Sequence, residues 1–123
     1  MRKTAKMIAT AGAVAVLLGS FTMAPQIASA ADKGSAAKGK KIAENRKKGN
    51  CFACHAYEGV KLPGNIGPPL VAMKARFPDR AKLRAQLWDP EANNADTLMP
   101  PYGKHEIISK KDIEHIIDWL YTL

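Results

Sequence analysis

Cys51, Cys54 and His55 stand together in "KKGNCFACHAYEG", residues 47–59, and the two thiols are the only cysteines of the chain. This C-x-x-C-H group limits the fold more than any other stretch. It puts two sulfurs about one helical turn apart, with an imidazole beside the second. As a disulfide the pair would close a very short loop, which restrains the unfolded chain little, and His55 would have no part to play. The remaining possibilities are a metal site, a redox dithiol, or a tether for a flat cofactor.

The start of the chain bears on that choice. Arg2, Lys3 and Lys6 precede the apolar run "MIATAGAVAVLLG", and "ASA" at positions 28–30 offers small residues for cleavage. Residues 1–30 are therefore expected to be a signal peptide cut after Ala30, with residues 31–123 as the mature domain in the periplasm. A membrane anchor is the competing reading, since the apolar stretch extends to about 17 residues, near the lower limit for a span. The small-residue site favours cleavage, so no stable anchor is expected. A mature chain of this size buries too little apolar surface to be generously stable alone. A large apolar cofactor would supply the missing core.

For an exported chain, C-x-x-C-H points to covalent haem c. Cys51 and Cys54 would form thioether bonds to one haem, and His55 would be an axial iron ligand. Zinc would want four ligands, and His105 and His115 are spaced unlike a common finger. A thioredoxin-like dithiol normally accompanies a strand-and-helix sheet, of which there is no pattern here. For the opposite face of the iron the candidates are Met73, Met99, His105 and His115. Met99 is favoured because "TLMPPYG" sets it in a loop stiffened by two prolines. Met73 has helix-like neighbours that suit a core filler, and it shares the remaining alternatives with His105. A histidine and methionine pair raises the potential and suits electron transfer. In "GPPL" the Pro68 carbonyl is placed to accept the proton on the other nitrogen of His55 and so fix the ring; an ordinary turn is the plainer reading.

The remaining pattern is helical. A first helix is expected over residues 35–48, ending at Gly49 and Asn50, with small residues that allow close packing. Residues 61–70, "KLPGNIGPPL", are too rich in Gly and Pro for regular structure, yet Leu62, Ile66 and Leu70 are spaced so that they could face a core. A second helix is expected over 79–88, burying Leu83 and Leu87. In the last, Ser109 is the N-cap, with Asp112 three residues on, and Ile113, Ile116, Ile117 and Leu120 repeat at helical spacing. No strand-period alternation competes. The expected fold is a small all-α domain with long functional loops.

The formal charge is +8, of which three positive charges lie in the leader. Lysines and arginines cluster in "DKGSAAKGKKIAENRKKG" and "KARFPDRAKLR" with few aromatics between them, so nucleic acid is not an expected partner. The basic stretches fit either a solvated helix face or a positive rim that steers an acidic protein partner.

With C-x-x-C-H, a following Gly-Pro-x-Leu, a Met-Pro loop and a closing amphipathic helix, the chain resembles the class I cytochromes c over nearly all of residues 31–123. "RKKGNCFACHA", "GNIGPPL" and the run from "RFPDRAKLRAQLW" through "MPPYGKHEIISKKDIEHIIDWLYTL" resemble, more closely, the SoxX family, monohaem subunits of the thiosulfate-oxidising Sox system. The resemblance implies a heterodimer with a SoxA haem c subunit, acting as L-cysteine S-thiosulfotransferase on the SoxYZ carrier, with electrons passed on to a soluble cytochrome c. It maps the haem-attaching cysteines onto Cys51 and Cys54, the proximal ligand onto His55 and the distal ligand onto Met99. The chain would be the electron-accepting subunit and not catalytic alone, because thioether formation would leave it no free thiol. A free-standing periplasmic carrier is the alternative.

Overall fold

The computed structural model describes residues 33–123, and the expected leader lies outside the described residues. Four helices follow in order: α1 (Lys33–Glu44), α2 (Met73–Arg76), α3 (Arg80–Trp88) and α4 (Lys110–Leu120), with single 3-10 turns at Cys51–Ala53 and Pro90–Ala92. Among the described residues there is no strand, only one isolated parallel bridge between His55 and Gly67. The domain is all-α, as its periodicity predicts.

Two of the three expected helices, α3 and α4, start at a side-chain cap. Ser109 Oγ accepts the Asp112 N–H at 3.1 Å, and the Asp79 carboxylate accepts the Ala81 N–H at 2.8 Å; each satisfies a donor that has no partner within its helix. α1 departs from expectation, ending at Glu44 rather than Lys48. Asn45 is the cause. Its side chain takes the Lys47 N–H at 2.9 Å, a local bond that competes with the helical one. The Gly49 N–H turns back to Ile42 O at 3.2 Å, and the left-handed residue is Asn50 (φ 47°) rather than Gly49.

α4 is the centre of the core. Ile113, Ile116, Ile117 and Leu120 are all buried, as is Trp119, and they meet Ile42 and Ala43 of α1 and Leu83 and Leu87 of α3. Each such side chain contributes roughly 1.5–3 kcal/mol by leaving water. Leu70 and Met73 close one side. Leu62 does not join them: it is 93% exposed, because the Gly-Pro loop runs over the surface, while Leu70 turns inward and Ile66 lines the neighbouring cavity.

The α1–α4 crossing is close enough to require glycine. A Cβ built on Gly39 would lie 1.8 Å from the His115 carbonyl oxygen. Beside it, Ser35 Oγ lies 2.6 Å from His115 Nδ1 and donates to Asp118 Oδ2 at 2.5 Å, which pins the start of α1 to α4. Helix propensity alone would make Gly39→Ala stabilising by about 1 kcal/mol. The clash is larger, and Gly39→Ala is expected to cost about 1–3 kcal/mol of unfolding free energy, read by denaturant titration.

α3 is tied to α4 by ions. Arg80 Nη2 lies 2.7 Å from Asp118 Oδ1 and 2.9 Å from Glu114 Oε2, and Arg84 grips both Glu114 oxygens. The hydrogen bonds from Arg84 hold the Glu114 carboxyl below its ordinary range; partial burial opposes this and Arg80 adds to it. A depressed carboxyl stabilises the fold above its unfolded-state value, and the effect is lost as pH falls through its folded-state value. Glu114→Gln is therefore expected to lower Tm modestly at neutral pH, with the gap to wild type closing in thermal melts as the pH falls below the ordinary carboxylate range.

Candidate functional site

The 3-10 turn at Cys51–Ala53 presents its residues to two sides. On one side Phe52 stacks on Tyr57, with centroids 5.2 Å apart and planes 6° from parallel. Trp119 of α4 meets both rings edge-on, at 5.8 Å and 5.3 Å. This cluster fixes the turn to the core helix. On the other side Cys51, Cys54 and His55 line a cavity of about 400 Å³, within the size range of ordinary cofactor sites.

A strap, residues 64–70, runs beside the turn. Gly64 N–H donates to Phe52 O, Gly67 N–H to Cys54 O and Leu70 N–H to Ala56 O, each at 2.8 Å. The prolines between them cannot donate, so they leave this ladder intact. The register brings the Pro68 carbonyl to His55, whose Nδ1–H donates to it at 2.6 Å. A carbonyl only accepts, so Nδ1 carries the proton, and in the neutral ring Nε2 is the nitrogen with the lone pair. Arg76 Nη1 steadies the strap by donating to Pro69 O at 2.8 Å.

Gly67 is necessary to this arrangement. A Cβ there would lie 2.4 Å from His55 Cε1 and 2.6 Å from Nδ1. Gly67→Ala should push the ring off the Pro68 carbonyl, seen as loss of the slowly exchanging Nδ1 proton in NMR and as a lower yield of haem-loaded protein.

Four candidates were open for a second ligand, and the tertiary structure separates them. Met99 and Met73 both line the cavity; His105 and His115 do not. His105 is exposed, and His115 is engaged with Ser35. The Met73 sulfur is buried in the core and receives Arg76 Nη1 at 3.4 Å. Met99 is held from the far side. Its own N–H bonds to Thr97 Oγ1 at 3.2 Å, and its sulfur faces only the neutral amide of Gln86 at 3.7 Å.

Tyr102 was not singled out in the sequence, yet it joins the two halves of the site. It is buried, and its hydroxyl donates to Gly49 O at 2.6 Å, so the loop carrying Met99 is tied to the stretch carrying the thiols. Burial raises the Tyr102 hydroxyl well above its ordinary value, with the two cysteines adding to the shift. Burial also pushes the Cys51 thiol up to about 11, leaving it neutral at physiological pH. The only earlier signal for Tyr102 was its place directly after two prolines, which is compatible with many roles.

The donor set fits haem. Two thiols, an imidazole with a free Nε2 and a thioether share the wall of one cavity, between apolar residues such as Leu83, Leu87 and Trp119. Imidazole and thioether are the soft axial pair of electron-transfer haems. Among the described residues no three His, Cys, Asp or Glu side chains are grouped to hold a metal ion by themselves. Fold and cavity together define a small cytochrome c-type domain.

A family model described as "Cytochrome C oxidase, cbb3-type, subunit III" matches residues 34–120, and the chain belongs to that family. Among solved structures it is similar to the crystal structure of SoxXA from P. pantotrophus, with 25% identity and a TM-score of 0.64 over 71% of this chain and 80% of that one. The SoxX-like resemblance of the loops is thus accompanied by a likeness in three dimensions. An uncharacterised lipoprotein of Aquifex aeolicus (strain VF5) is 29% identical over 76 residues, 61% of this chain. The chain spans 37% of the length of that curated relative.

Proposed function

We propose that this chain is the haem c electron-accepting subunit of a periplasmic L-cysteine S-thiosulfotransferase, working in thiosulfate oxidation as a heterodimer with a SoxA-type haem c subunit. The observation that carries this reading is the likeness to the SoxXA structure, which extends over most of both chains. Cys51 and Cys54 attach one haem covalently, His55 and Met99 are its axial ligands, and the Pro68 carbonyl holds the His55 ring. The haem supplies a one-electron redox centre. Thiosulfate is joined to a cysteine of a SoxYZ-type carrier, two electrons are released, and they leave one at a time for a soluble cytochrome c.

The division of labour follows from the cysteine count. The chain has two cysteines, and once both are thioethers no thiol remains to bond sulfur. Bond formation then belongs to the partner and the carrier, and this subunit is not catalytic alone. Export with cleavage after Ala30 places the protein in the periplasm, where the carrier must meet it. A free-standing monohaem carrier is the second reading, with which the match to a cytochrome c family model is equally compatible.

Two measurements separate these. A native pull-down with haem staining should recover a larger haem c partner, and thiosulfate plus carrier should reduce the haem only when that partner is present. A stable partner-free monomer in cells grown on thiosulfate would leave the carrier reading. Met99→Ala should abolish the weak near-infrared sulfur-to-iron band, whereas a band that persists assigns the ligand to Met73.

A further inference from the structure

A methionine side chain has three rotatable bonds and a sulfur that accepts hydrogen bonds weakly, so a loop can place its Cα without deciding where the sulfur's lone pairs point. In this chain a second element addresses the sulfur. Gln86, on α3 between the buried Leu83 and Leu87, lies with Nε2 3.7 Å from Met99 Sδ, a weak N–H···S contact at the larger radius of sulfur. The other end of the same amide is also engaged. Asn93 Nδ2 donates to Gln86 Oε1 at 3.0 Å. Because the oxygen is claimed by Asn93, the N–H end of Gln86 is the end turned to the thioether. Asn93 is itself set by the 3-10 turn Pro90–Ala92, its N–H bonding to Pro90 O at 3.1 Å, and Pro90 is buried.

We propose that Gln86, oriented by Asn93, is a positioning residue for the Met99 thioether and raises the reduction potential of the haem that Met99 ligates. The proposal rests on the assignment of Met99 as axial ligand. The amide directs the positive end of its N–H dipole at the sulfur. That draws lone-pair density away from the iron and favours the less positive, reduced state, which is the state an electron acceptor must reach. Asn93 supplies direction and Gln86 supplies the dipole. Neither residue attaches the haem or ligates the iron.

The test uses the haem-loaded protein. Gln86→Leu keeps the side-chain volume and excludes water, so solvent entry cannot mimic the loss of the donor. Its equilibrium constant for one-electron reduction against a fixed mediator is expected to fall at least threefold, about 28 mV at 59 mV per tenfold, while the near-infrared sulfur-to-iron band remains. Asn93→Ala alters an exposed residue outside the cavity wall, and reads the same effect where Gln86→Leu disturbs folding. It should shift the equilibrium in the same direction by a smaller factor. Wild-type potentials in both variants with the band retained would overturn the role of Gln86 and leave Met99 as the ligand. A band that survives Met99→Ala would instead remove the ligand assignment itself, so the two failures are told apart.

Discussion

The hydrogen-bonded register between residues 64–70 and the C-x-x-C-H turn governs this site. Three backbone bonds at 2.8 Å set which carbonyl reaches His55, and a slip of one residue would present a different group to Nδ1. The parallel contact of His55 with Gly67 leaves no room for a Cβ. Glycine there is a packing requirement. Pro68 and Pro69, which follow Gly67, have no N–H to satisfy, and their carbonyls accept from His55 and Arg76.

The turn is held from behind as firmly as from the side. Phe52, a variable position within C-x-x-C-H, points away from the cavity into a three-ring cluster with Tyr57 and Trp119. Trp119 also lines the cavity, so α4 is both the core helix and one wall of the site. The close approach of α1 at Gly39 and the ionic links of Arg80 and Arg84 to Glu114 and Asp118 hold α4 in place. A change in helix packing therefore reaches the site through Ile116, Trp119 and Leu120, which all line the cavity.

The opposite wall is built from weaker parts. Tyr102 ties the Met99 loop to Gly49, and the Gln86 amide faces the thioether. The two cavity methionines are sorted by their neighbours: Met73 is enclosed in the core next to a guanidinium, and Met99 is left with a neutral amide and a loop that can present it. A cationic donor at a sulfur disfavours its approach to a positive iron.

Much of this was legible in the chain itself. The periodicity of Ile113, Ile116, Ile117 and Leu120 with the cap at Ser109 gave α4, and Leu83 and Leu87 gave α3, because amphipathic period and capping are local properties. C-x-x-C-H pointed to the class of cofactor, because its three groups are adjacent in sequence. The end of α1 was misjudged, since the Asn45 side chain competes with the helix through a bond that composition does not reveal. Leu62 was misplaced because an irregular loop has no period from which to read a face. Only the tertiary structure placed Met73 and Met99, and not His105 or His115, on the cavity wall, and only it brought in Phe52, Tyr102, Gln86 and Asn93. Their roles depend on contacts between residues distant in the chain, which are fixed by how helices and loops pack and not by any spacing within one of them.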